Sequence, residues 1–170
     1  ATSQLLYKNF NYRGKSKDID LFIDKCNINE VIDILDNLDF KNYNKFNDIY
    51  KNNYIWKTYR NTCEHSLVLI ENKNYEDNSI SIDIHWKLSQ ISYLLPNFSE
   101  AYKDREKVNF NGFSVNTLSL SHTFIHSCAH CSIDQWMNIN NLLDIINLSK
   151  KISHKNISKY QNAKYVKYST

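Results

Sequence analysis

Two aspartates stand two residues apart in "KDIDLFI", residues 17–23, and a third sits in "SIDIHWKL", residues 81–88. In the first stretch Asp18, Asp20 and Phe22 share one parity, while Ile19, Leu21 and Ile23 share the other. On a strand, side chains at i and i+2 point the same way, about 6.5 to 7 Å apart, so Asp18 and Asp20 reach toward one point above a sheet. Asp83, on a strand one or two spacings away, is positioned to join them. Three converging carboxylates repel one another, and hard divalent cations with a preference for oxygen resolve that repulsion. Two such ions about 4 Å apart clamp an in-line phosphoryl displacement. A solvated acidic strand is the plainer alternative.

The elements that must hold these groups follow from periodicity. Residues 18–24 form a strand. "NINEVIDILDNLDF" spaces Val31, Ile34, Leu35 and Leu38 as a helical stripe for packing on the sheet, with Asn27 or Asn29 as cap. "HSLVLIE", residues 65–71, suits a central strand. In "SISIDIHWKL" Ile80, Ile82, Ile84, Trp86 and Leu88 alternate with Ser79, Ser81, Asp83, His85 and Lys87, so this strand pairs with the previous one as a hairpin and puts Asp83 and His85 on its polar face. His85 is placed to orient Asp83, to line a substrate site, or to make a structural hydrogen bond. Residues 1–8 read as the end of a helix and 40–62 as short irregular elements. After Pro96 a small hairpin turns at Asn111-Gly112. Helices then cover roughly 119–132 and 134–150, the second with Ile139, Leu142, Leu143 and Ile146 at core spacing. The tail from Lys150 to Lys167 is basic.

The 170 residues, with twelve Tyr, eight Phe and three Trp, supply a core for a globular α+β chain. We divide it into a core over 1–95 and a hairpin-plus-helix part over 96–170, packed as one unit. Gly14 and Gly112 are the only glycines, which excludes glycine-rich phosphate loops. A net charge of +3 is mild and does not by itself indicate a nucleic-acid face. The spacing of Cys26, Cys63, Cys128 and Cys131 is no disulfide framework, which points to reduced thiols and a cytoplasmic setting. No apolar run approaches the ~18 residues of a membrane span, so no membrane partner is expected.

"KDIDLFI" followed by "SIDIHWKL" resembles the nucleotidyltransferase superfamily typified by polymerase β, and more narrowly the bacterial nucleotidyltransferase-like proteins with a D-I-D-L strand and a later D-x-H-W strand. The resemblance runs over roughly residues 4–150 and extends to "LSHTFIHSCAHCSIDQWMNINNLLDIINL", which matches their C-terminal helices. It implies a mixed β-sheet with flanking helices and a helical C-terminal part. It also implies transfer of a nucleoside monophosphate from an NTP to a hydroxyl acceptor (a small molecule, a protein or RNA) with Mg²⁺ or Mn²⁺. By position, Asp18 and Asp20 would hold the metals, and Asp83 would complete the second site and help deprotonate the attacking hydroxyl. Arg13 and Ser16 precede the strand at positions suited to phosphate contact. His85, His130 and Asp144 fall in the nucleotide-binding set, with Trp136 also matching the pattern. His122, His126 and His130 share a helical face at i, i+4 and i+8. Zinc binding from one helix and Cys131 lacks the second element that tetrahedral ligation needs.

The family places a Gly-Ser or Lys-Gly motif on a helix upstream of the D-x-D, where backbone donors cradle phosphate. Gly14 lies too close to Asp18 for that role, so the chain is expected to begin just after the motif. Two alternative readings follow: a catalytically incomplete nucleotide-binding or interaction domain of the same fold, and a toxin-type nucleotidyltransferase with an S-x-D-x-D turn like "SKDID". A nucleic-acid-binding module resting on the basic tail is a further class.

Overall fold

In the computed structural model the described residues are 18–41, 66–71, 80–89, 95–110 and 112–152. Arg13 and Ser16, the helix expected over 1–8, residues 42–65 and the basic tail beyond 152 lie outside them. The chain divides into two compact units, one whose described residues run from 18 to 89 and one from 95 to 152. Their architecture is α+β, as the patterning predicts.

The first unit is a four-stranded mixed sheet carrying one helix. Strand β1 (Asp18–Phe22) leads through a 3-10 turn at Lys25–Asn27 into helix α1 (Ile28–Asn37), then into β2 (Phe40–Lys41), β3 (Ser66–Glu71) and β4 (Ser81–His85). The spatial order is β1-β4-β3-β2. β3 pairs antiparallel with both β2 and β4, whereas β1 returns to the opposite edge and pairs parallel with β4. Asp24 fastens the exit of β1. Its carboxylate accepts from the Cys26 backbone N–H at 2.9 Å and from the Cys26 thiol at 2.7 Å, which closes the turn. These two bonds hold the Asp24 carboxyl below its ordinary range.

One face of the sheet is apolar because β4 alternates. Ile82, Ile84 and Trp86 are buried with Leu69, Ile28 and Leu35, and Leu21, Ile23, Val31, Ile32 and Phe40 pack against them. Helix α1 thus buries Ile28, Val31, Ile32 and Leu35, spaced i, i+3, i+4 and i+7. This corrects the predicted stripe: Ile34 and Leu38 are exposed. Both stripes satisfy a 3.6-residue period, and the cap turn at Asp24 selects the one that begins at Ile28. Asp39, at φ 64, ends the helix in the left-handed region and turns the chain into β2.

The second unit begins with helix α2 (Phe98–Lys103), whose Asn97 and Glu100 form a reciprocal capping box. A hairpin follows, β5 (Glu106–Phe110) and β6 (Phe113–Thr117), with Phe110 opposite Phe113 across the turn. Gly112 sits there at φ 85, a conformation that favours glycine. Helices α3 (Leu120–Ile133) and α4 (Ile139–Lys151) complete the unit, with Leu148 and Ile152 buried against Leu120 and Phe124. The predicted second helix starts late because Gln135 and Trp136 adopt φ 52 and 62, reversing the chain where a continuous helix is impossible. The face of α4 is also corrected: Asp144 and Leu148 are buried, while Ile139, Leu143 and Ile146 are exposed.

The two faces of α1 make the corrected register testable. Ile28→Ala should cost about 2–5 kcal/mol in denaturant unfolding, the range for a large-to-small change in a sealed core. Ile34→Ala should change stability by no more than about 0.5 kcal/mol. A larger cost for Ile34→Ala than for Ile28→Ala would place the helix on the predicted stripe instead.

Candidate functional site

The polar face of the sheet is built by the same alternation that builds its core. Between buried Ile82, Ile84 and Trp86, the side chains of Asp83 and His85 are turned to the other side. The parallel pairing then sets Asp20 directly beside Asp83, Asp18 beside Ser81 and Phe22 beside His85. Opposed residues on neighbouring strands share a face, so Asp18, Asp20, Ser81, Asp83 and His85 stand together over about 4.8 Å strand spacings. Asp20 and Asp83 are far apart in sequence and meet only through this register.

His85 ties the two carboxylates. Its Nε2–H donates to Asp20 Oδ1 at 3.2 Å, and the same nitrogen lies 3.4 Å from Asp83 Oδ2. The Asp20 side chain is 73% exposed at the sheet edge, while those of Asp83 and His85 are only 26% and 20% exposed. The imidazole thus comes from the firm centre of the sheet and one carboxylate from its open edge. Burial, the largest influence on the ring, favours its neutral form, yet the hydrogen bonds and charges of Asp20 and Asp83 together outweigh it and push the pKa up to about 9. The acidic face therefore has a basic partner, contrary to the expectation of carboxylates left to repel one another.

Asp20, Asp83 and His85 each offer a ligand atom within 4.8 Å of the others, the one such group among the described residues. Asp83 Oδ1 is buried and has no hydrogen-bond partner, a state that costs about 1–3 kcal/mol unless something electropositive meets it. Two carboxylates, an imidazole and this orphaned oxygen are a donor set that fits a divalent cation. Asp18 stands one pleat repeat from Asp20 on the same face, outside the three-atom group.

The remaining sequence-predicted residues are placed elsewhere. His130 lies on α3 with Nδ1 3.0 Å from Asp134 Oδ2, and its ring centroid is 6.2 Å from that of His126. His122, four residues before His126, is buried rather than aligned with it on an exposed face. Asp144 is 2% exposed within the second unit. Burial chiefly, with the Asp134 and Asp144 charges, pushes the Cys131 thiol up. The membership of His85 in the acidic group is what sequence reasoning missed. The alternation placed it on the face of Asp83, but its reach to Asp20 depends on a strand pairing that periodicity does not reveal.

The chain belongs to a family of nucleotidyltransferases, described as uncharacterised, whose model matches residues 1–161. No curated protein and no solved structure matches it. The mixed sheet with its flanking helix and the helical second unit is consistent with a nucleotidyltransferase-like fold. This class takes nucleoside triphosphates as donors and typically works with divalent metals. No helix among the described residues is long and apolar enough to cross a membrane.

The His85 bridge predicts a particular pH response. A folded-state pKa near 9, above the ordinary 6.5, gives a contribution to stability that is complete below about pH 6.5 and lost as pH rises through about 9. In metal-free protein the His85 ring signal followed by NMR should titrate near 9. A midpoint near 6.5 would show that the two carboxylates do not hold the ring.

Proposed function

We propose that the protein transfers a nucleoside monophosphate from an NTP to a hydroxyl acceptor, releasing pyrophosphate, with Mg²⁺ or Mn²⁺ held at the acidic face. The observation that carries this reading is the register of β1 against β4, which sets Asp20 beside Asp83 and aligns Asp18 on the same face. A bound divalent cation supplies charge neutralisation at the triphosphate and at the oxygens entering and leaving phosphorus.

The side chains divide the remaining work. Asp20 and Asp83 anchor the cation between them, and Asp18 extends the anionic face toward a second metal position. Asp83, the more enclosed carboxylate, is suited to accept the proton of the attacking hydroxyl. By resemblance, Arg13 and Ser16, just before β1 in the chain, are assigned to phosphate and His130 to nucleotide binding. Asp144, buried in its unit, is by resemblance assigned to nucleotide binding as well. The acceptor class (small molecule, protein or RNA) is set by surfaces other than these carboxylates.

Binding and turnover test this reading together. An NTP with Mg²⁺ or Mn²⁺ at about 100 times its dissociation constant should stabilise the protein by about 2.7 kcal/mol, read as a rise in melting temperature. Asp20→Asn and Asp83→Asn should each abolish that shift. Metal-dependent pyrophosphate release should fall about 10²-fold or more in Asp83→Asn, the scale for removing a group that stabilises transition-state charge. Asp36→Asn, on the exposed side of α1, should change neither. Full ligand-induced stabilisation in both site variants would sink the assignment.

A further inference from the structure

We propose that His85 is itself a ligand of the cation, and that the resulting set of two carboxylates and one imidazole biases the site toward Mn²⁺ over Mg²⁺. The inference rests on the metal-binding reading above and adds the identity of the third donor and of the preferred ion.

Distances support His85 as the donor. Metal bonds of about 2.1 Å place neighbouring ligand atoms about 3.0 Å apart in an octahedron and about 3.4 Å apart in a tetrahedron. His85 Nε2 is 3.2 Å from Asp20 Oδ1 and 3.4 Å from Asp83 Oδ2, and the three ligand atoms all lie within 4.8 Å of one another. Without a cation these separations hold the Nε2 proton that His85 shares with the two carboxylates; a cation would take the place of that proton, which passes to solvent, with only small adjustment of the three ligand atoms. Asp18 lies outside this group.

The fold also holds the ring still. The neighbours of His85 in sequence, Ile84 and Trp86, are buried in the core, and its carbonyl accepts the Ile23 N–H at 2.9 Å. A donor fixed on both sides loses little freedom on binding a cation. Asp20, at the exposed edge of the sheet, already meets the ring.

The choice of ion follows from the nitrogen. Mg²⁺ demands oxygen donors in near-ideal octahedral geometry and gives up its water reluctantly. First-row divalent ions accept imidazole, with Mn²⁺ the member that also suits carboxylate and phosphate oxygen. An all-carboxylate site discriminates weakly between the two, whereas a mixed site disfavours Mg²⁺.

Direct titration without nucleotide decides the matter, using Mn²⁺ followed by loss of its free-ion EPR signal and Mg²⁺ followed by calorimetry. The full chain should bind Mn²⁺ at least about tenfold tighter than Mg²⁺, the low end of the effects that ligand environments exert. His85→Gln should reduce the Mn²⁺-to-Mg²⁺ affinity ratio by about the same factor. Pulsed EPR of the wild-type Mn²⁺ complex should show modulation from a coordinated nitrogen, a readout that needs no variant to fold. An oxygen-only spectrum, or a ratio unchanged in folded His85→Gln, would overturn His85 as a ligand while the carboxylate site stands. Binding of neither ion by the wild-type protein would overturn both readings.

Discussion

The parallel pairing of β1 with β4 is the constraint on which the rest of the site depends. β4 is already fixed by its antiparallel bonds to β3 and by Ile82, Ile84 and Trp86 in the core. β1 is an edge strand whose own polar parity offers little burial, and it is held by the ladder and by the Ile23 N–H bond to His85. A slip of one residue would turn Asp20 to the apolar face and set Ile19 or Leu21 against Asp83. The register is therefore defended by the cost of burying a carboxylate as much as by the gain of burying Leu21 and Ile23.

That arrangement explains why two side chains of opposite tendency coexist on one strand. In "SIDIHW" the apolar residues hold the backbone rigid while Asp83 and His85 are displayed, so core and site are two readings of a single alternation. The rigidity matters chemically. A buried oxygen of Asp83 without a hydrogen-bond partner is tolerated because the surrounding strand cannot relax to satisfy it. His85 meets part of the electrostatic demand from the other carboxylate oxygen.

The two helical faces that departed from expectation share one physical cause. α1 and α4 each carry more apolar residues than one face can bury, so a 3.6-residue period fits more than one stripe. In α1 the turn capped by Asp24 begins the helix at Ile28 and rotates Ile34 and Leu38 outward. In α4 the left-handed Gln135 and Trp136 reset the start to Ile139, and the inward face falls on Asp144 and Leu148. Local turns, made by residues outside either stripe, decided which stripe won.

The sequence by itself determined the α+β class, the strands that carry Asp18, Asp20 and Asp83, the small hairpin after Pro96 and the family resemblance that the match over residues 1–161 bears out. Each of these rests on interactions between near neighbours: period-two alternation, turn chemistry and short motifs. The tertiary structure alone decided that Asp20 faces Asp83 directly, that His85 joins them with one nitrogen, and that Asp144 is buried away from solvent. Such facts depend on which strand lies beside which and in what register. That choice is made by the summed burial of residues far apart in the chain, and no local pattern encodes it.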